Sequence, residues 1–408
     1  MLKDDAAVRF SQDPLSFLDQ QFPAAGNVVR TGQNEYCLAD PLDARAVLRN
    51  DDGRYLEHSD FFHTRHGLFG PRSAQLKMRR ESRALLREFL ATRKSGALSA
   101  FVEANLPLVS EWPDAGNRLV YRYLLPVLLA PDSSPKLRLL LDEIVERAVL
   151  AKAKSRQSRL RRMILQFRTT LRLSKEIEAR QHLARAHPID LLDVVACSAE
   201  HGQGVDELAE VFLSFVFAIA GSVGFVLAWS IYLSGTHQER VAPPEWVVQE
   251  ALRLWPVAWQ LGRHPARDHQ VSGVDVGTTD EVVVCPYLVQ RNPRYWSEPA
   301  DFQPDRWSDP ESWRNPAFIP FGYGPHRCVA ADLSSRLISE VLEIITHAHT
   351  LSIETRDARP TVAAAMAPPA FRLTLGPRNL RTENHRLSGG CAAAAETEHQ
   401  SQAGQSSF

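Results

Sequence analysis

The chain reads as mainly helical with a smaller β region, and three observations predict this. Apolar residues recur at three- and four-residue spacing through "LKMRRESRALLREFL" and "LRLLLDEIVERAVL", the period of helices with one buried face. The apolar run "VFLSFVFAIAGSVGFVLAWSIYL", residues 211–233, suits a long helix enclosed by protein on every side. Over residues 263–279 the pattern breaks into short alternating pieces with Gly and Asp, followed by "EVVVCPYLV", which reads as short strands.

Composition narrows the function classes. The 408 residues carry a net charge of −1, so no global field points to nucleic acid or an anionic surface. Cys37, Cys197, Cys285, Cys328 and Cys391 are widely spaced and odd in number, and no two form a CxxC pair. That argues against a disulfide framework and a cysteine zinc site, and for a reducing, cytoplasmic setting. The first residues, "MLKDDAAVRFSQDPLSF", lack the apolar core of a signal peptide, so a soluble protein is expected. The 211–233 run is also long enough for a membrane span, but it has no basic flank, which favours burial.

Taken in order, the first two thirds are helical. Within them, residues 152–185 are strongly basic around "SRQSRLRRMILQFRTTLRL", read as a solvated helix face, with docking of an acidic partner as the alternative. After the strands comes "QRNPRYWSEPADFQPDRWSDPESWRNPAF", rich in Pro and Trp and too aromatic for disorder. The helical pattern returns in "AADLSSRLISEVLEIITHAH". Residues 1–378 read as one domain and 379–408, ending "GGCAAAAETEHQSQAGQSSF", as a disordered tail.

A lone cysteine is most often a small buried hydrophobe. Cys328 differs in its setting, "FGYGPHRC". Gly322 and Gly324 permit turns that other residues resist, and Pro325 stiffens the approach. The following helix places the sulfur beside unpaired N–H groups that favour a thiolate, which is a nucleophile or a metal ligand.

With Phe321, Gly324 and Cys328 at their required spacing, the sequence resembles the cytochrome P-450 superfamily, whose signature is Phe-x-x-Gly-x-x-x-Cys-x-Gly. The resemblance implies a P-450 fold with haem b (Fe-protoporphyrin IX) between a long central distal helix, residues 211–233, and a proximal Cys loop and helix. Cys328 would be the axial thiolate, Phe321 would shield it, and His326 would meet a haem propionate; Gly322 belongs to the same loop. Ala330 departs from the final Gly. Glu250 and Arg253 in "EALRLWP", with Arg306 in "FQPDRW", resemble the family's structural Glu-Arg-Arg network. Arg263 matches one propionate arginine and Arg79 the other, with Gln75 where an aromatic residue or histidine is expected; Arg80 is the alternative to Arg79.

One part of the pattern breaks. The family's distal helix carries an acid and a threonine that relay protons, whereas here "AGSVGF" puts Val223 and Gly224 at those positions, beside Ala220, Gly221 and Ser222. Residues 211–235 contain no Asp, Glu or Thr. Protons must come from water, a substrate group, Ser222, or hydrogen peroxide used as the oxidant. Glu250 also follows Gly224 closely through "GTHQERVAPPEW", leaving little room for the usual intervening helix.

The expected function is therefore a haem-thiolate monooxygenase acting on an apolar small molecule in specialised-metabolite biosynthesis. Substrate contacts are expected at Phe217, Ala220, Gly221, Val223 and residues 256–261. An acidic ferredoxin with its reductase would donate electrons to a surface bearing Arg80, Arg83, Arg87, Arg327 and Arg336; neither nucleic acid nor membrane is an expected partner. The alternatives are a peroxide-using or oxidative-coupling enzyme, a non-redox haem isomerase or cyclase, a haem-binding non-catalytic protein, and a non-haem helical binding protein.

Overall fold

The computed structural model describes residues 5–131, 133–150, 159–183, 185–198 and 203–378. The expected tail and the first part of the basic segment, 152–158, lie outside the described residues.

Helices α1 (Asp5–Gln12) and α2 (Pro14–Ala25) lead into a hairpin of β1 (Val28–Gly32) and β2 (Glu35–Leu38). Helix α3 (Pro41–Arg49) starts at Asp40, whose carboxylate accepts the N–H groups of Leu42 and Asp43, while Pro41 gives up no needed donor at the first turn. Then come α4 (Arg72–Thr92), α5 (Ala97–Asn105), β3 (Val109–Trp112), α6 (Asp114–Leu128) and α7 (Pro135–Ile144). The basic segment forms α8 (Arg159–Leu183), followed by α9 (Leu191–Cys197). Buried Arg180 on α8 bonds Asp190 at 2.5 Å and Asp193 at 2.7 Å, which pins the two helices together.

The apolar run forms one long rod: α10 (Val205–Phe217), a single π-helical turn (Ala218–Val223) and α11 (Gly224–Thr236). It is long and apolar enough to cross a membrane. In the fold it is a core helix, with α6, the next helix and the C-terminal strands packed around α11. Leu227, Ala228, Trp229 and Ile231 have almost no exposure, so the all-round apolar composition follows from contact on all sides. Residues 237–243 then run without a helix to α12 (Pro244–Leu254), as the short connection predicted.

After α12 come β4 (Leu261–Arg263) and β5 (Glu281–Val284), the Pro- and Trp-rich meander, α13 (Ala331–Ala348), and the strands β6 (His349–Thr355) and β7 (Phe371–Pro377). One sheet has the order β1-β2-β5-β4, antiparallel except where β2 runs parallel to β5. The other is antiparallel, in the order β6-β7-β3.

The meander is tied down by one buried ion pair. Glu250 and Arg253 have no exposure and share two hydrogen bonds of 2.8 and 2.9 Å, as expected for residues three apart on a helix. The Glu250 carboxylate also accepts from Arg306 Nε, the Trp307 indole and the Gln303 N–H at 3.0–3.1 Å. Arg253 spends its remaining donors on the carbonyls of Gln290, Pro299 and Asp301. Both Glu250 oxygens and the donors of Arg253 are thus hydrogen-bonded inside the fold, the condition under which a buried pair is tolerated. Removing one partner leaves the other charge buried and alone. Glu250→Ala is expected to lose about 3–5 kcal/mol of stability, read from the midpoint of denaturant unfolding.

Candidate functional site

A cavity of about 350 Å³ is lined by Phe321, Gly322, Cys328 and Val329 of the cysteine loop and by Ala218, Ile219, Ser222, Val223 and Val226 of the central helix. Phe61, Phe62, Leu86, Phe215, Val257 and Leu261 make the rest of the wall largely apolar. Its charged members are Arg79, Arg83, Arg263, His326 and Asp60.

The loop that presents the sulfur is a closed turn. The Cys328 N–H donates to the Phe321 carbonyl at 2.9 Å, and the Arg327 N–H to that of Gly324 at 3.2 Å. Gly322 and Gly324 both have φ near +70°, the left-handed region that glycine enters without cost. At Gly324 space is short as well, because a Cβ there would lie 3.0 Å from the Cα of Arg49 on α3. Helix α4 then grips the loop from the side. Arg79 donates to the Arg327 carbonyl at 2.6 Å, and Arg83, one turn on, donates to the Val329 carbonyl and pairs with Asp332 at 3.0 Å. These two arginines straddle Cys328.

Cys328 is accessible where it forms part of the cavity wall and is otherwise surrounded by protein. Burial pushes its thiol up, while the Ala330 N–H and the charges of Arg79 and Arg327 pull it the other way and Asp332 adds to the rise. A coordinated metal ion removes a thiol's proton outright, so a metal bound at Cys328 would hold it as the thiolate. Helix α13 begins three residues later, as the helical pattern predicted.

The polar rim is already organised. Arg263 pairs with both carboxylate oxygens of Asp60 at 3.2–3.3 Å. Burial alone would raise the Asp60 carboxyl, but the His58 hydrogen bond and Arg263 bring it below its ordinary value. His326 meets Glu57 at 3.0 Å through Nε2 and Arg72 at 3.3 Å through Nδ1, and burial lowers its affinity for a second proton. Sequence reasoning missed Glu57, Asp60 and Arg72; the signal was the polar run "EHSD", residues 57–60, just ahead of Phe61 and Phe62.

Of the expected residues, the structure brings together at the cavity Arg79, Ser222, Val223, Arg263, Phe321, Gly322, His326 and Cys328. Other expected residues lie outside its wall. Gln75 is buried and donates to the Phe69 and Gly70 carbonyls, fixing the start of α4. Ala220 and Gly221 are buried within the rod, and Gly224 packs against Asn117 of α6. Phe217, expected against substrate, is 40% exposed and not in the wall. Within 256–261, Val257, Ala258 and Leu261 reach the cavity, whereas the Trp259 indole donates to the Ala363 carbonyl. Arg80 is exposed and outside the wall, so Arg79 is the arginine placed at the site.

The residues present fit haem. Among the described residues no group of three or more His, Cys, Asp or Glu could hold a metal ion, so iron at Cys328 must bring its other ligands with it. A macrocycle does so, and its apolar body and carboxylate edge match an apolar wall with Arg79, Arg263 and His326 among its polar members.

Comparison with known proteins agrees with this geometry. The family model described as cytochrome P450 matches residues 244–371. Cytochrome P450 3A5 of Homo sapiens is 32% identical over 149 residues, covering 30% of this chain and 30% of that protein. Cytochrome P450 3A18 of Rattus norvegicus is 38% identical over 101 residues, 24% of this chain and 20% of that protein. The aligned part thus spans less than a third of these relatives. Solved structures match almost throughout: ligand-free cytochrome P450 TbtJ1 has a TM-score of 0.67 at 17% identity, covering 92% of this chain and 99% of its own. P450BioI in complex with a hexadec-9Z-enoic acid-ligated acyl carrier protein has a TM-score of 0.65 at 15% identity, covering 91% and 100%.

The cysteine loop's geometry predicts a graded effect of glycine replacement. Gly324→Ala is expected to cost at least about 1–2 kcal/mol from its left-handed backbone, plus the clash with Arg49. Gly273→Ala, at φ +80° with nothing within 4 Å of the new Cβ, carries the backbone cost alone. Thermal unfolding of both variants should place Gly324→Ala clearly lower.

Proposed function

We propose that the chain is a member of the cytochrome P450 superfamily and a haem-thiolate monooxygenase oxidising an apolar small molecule, in specialised-metabolite biosynthesis. The observation that carries this reading is the placement of Cys328 in the wall of an apolar cavity, with Arg79, Arg263 and His326 in the same wall. Bound there, haem supplies an iron whose thiolate ligand favours O–O cleavage.

The chain's own residues divide the remaining work. Arg79, Arg263 and His326 hold the propionate edge, the two arginines as planar donors suited to carboxylates. Phe61, Phe62, Phe215, Val257 and Leu261 exclude water and select an apolar substrate. Ser222 is the one hydroxyl of the bulged turn at the cavity, and it passes protons that an acid and a threonine would pass elsewhere. Electrons come from a ferredoxin and its reductase. Arg80 and Arg87, exposed on the helix that grips the cysteine loop, offer the positive charge such a donor meets.

A second reading is favoured by Val223 and Gly224: a haem enzyme that takes peroxide as a preformed oxidant, or rearranges its substrate without oxygen. Turnover under labelled dioxygen separates them. A monooxygenase given ferredoxin, its reductase and NADPH yields product carrying one labelled oxygen atom. Product formed from peroxide but not from reductant and dioxygen, or an unlabelled isomer, would overturn the proposal.

A further inference from the structure

Arg263 ends β4 with almost no exposure, and it lines the cavity together with Asp60 at the rim. A guanidinium has five N–H donors in one plane. Three of them are engaged here. Nη1 and Nη2 donate to the two oxygens of the Asp60 carboxylate at 3.3 and 3.2 Å, and the second hydrogen of Nη1 goes to the Gly262 carbonyl at 2.6 Å. The donors left over are the Nε–H and the second hydrogen of Nη2. They lie side by side along one edge of the plane, a fork that matches one more carboxylate.

Asp60 is itself fixed in place. The Leu56 N–H donates to the His264 carbonyl at 2.9 Å, so the segment leading to Asp60 is tied beside the end of β4. The buried Ser59 hydroxyl accepts the Phe62 N–H at 3.1 Å and closes the turn that holds Asp60. His58 Nε2 reaches Asp60 Oδ1 at 3.3 Å, and Phe61 meets the Phe215 ring edge-on with centroids 4.7 Å apart. A carboxylate anchored in this way can set the planar group it grips.

We propose that Asp60 is a positioning residue for the cofactor: by gripping the end of the Arg263 guanidinium it sets the plane of that group, so that the open edge faces a haem propionate. This rests on the haem reading above. Without Asp60, Arg263 keeps its charge and its bond to Gly262 but loses the contacts that fix its plane.

The test uses the haem-loaded full-length protein, with Asp60→Asn, Asp60→Glu, Arg263→Ala and the Asp60→Asn/Arg263→Ala double variant. Haem loss to excess apomyoglobin, followed in the Soret band, should quicken about tenfold in Asp60→Asn and be partly restored in Asp60→Glu. The propionate bending mode in the resonance Raman spectrum reports hydrogen bonding at the propionate rather than stability, and it should shift in Asp60→Asn in the same direction as in Arg263→Ala. The double variant should lose haem no faster than Arg263→Ala alone, since Asp60 acts through Arg263. An unmoved propionate mode in Asp60→Asn overturns the inference, as do an unchanged rate of haem loss and losses that multiply in the double variant. If Asp60→Asn does not fold, a crystal structure of the haem-loaded wild type decides: Arg263 must meet Asp60 through Nη1 and Nη2 and a propionate through Nε and Nη2, and any other arrangement overturns the inference. A wild type that takes up no haem overturns the haem reading and this inference with it. A haem-loaded wild type from which Asp60→Asn does not differ overturns this inference alone.

Discussion

The fold turns on holding one sulfur atom at the wall of an apolar cavity. A cysteine there is desolvated, and desolvation opposes the thiolate that a metal ligand must be. The chain answers with fixed dipoles and charges. The Ala330 N–H reaches the sulfur, the Phe321 carbonyl anchors the Cys328 main chain, and Arg79 and Arg83 hold the carbonyls on either side. Two glycines in left-handed conformation make so tight a turn affordable.

That loop is held from both of its sides. Arg79 and Arg83 belong to α4, whose first turn is fixed by buried Gln75. On the other side the Pro- and Trp-rich meander leads directly into the loop, and its path is set by Glu250 and Arg253, with Arg306 and Trp307 completing the carboxylate's hydrogen bonds. A buried ion pair contributes little net stability, but it tolerates few alternative arrangements. Its position at the base of the meander suits a structure that must return the same sulfur to the same place.

What was legible in the sequence is what short spacing encodes. Phe321, Gly324 and Cys328 lie within one turn and its approach, and Glu250 and Arg253 share one helix face, so their relation survives without knowledge of the fold. The length of the central helix and the short connection to α12 were equally local. Contacts between distant segments were not legible. Glu57 and Asp60 reach His326 and Arg263 across more than 200 residues, and Asn117 meets Gly224 only because two helices cross there. Phe217 shows the complementary error: a helical position inferred to face the substrate points elsewhere, because Phe215, Ile219, Ser222 and Val226 share the cavity face at three- and four-residue spacing and Phe217 lies off it. Arg83 was assigned to the electron donor's surface by charge alone, whereas its position one turn from Arg79 gives it a partner in the cysteine loop.

The central claim is that Cys328 is the thiolate ligand of a haem iron, and the carbon monoxide spectrum of the reduced protein tests it most directly. The account predicts a strongly red-shifted, thiolate-type Soret band for the wild type and its loss in Cys328→Ser. A reduced, haem-loaded wild type without that band, or a Cys328→Ser variant that keeps it, would contradict the account.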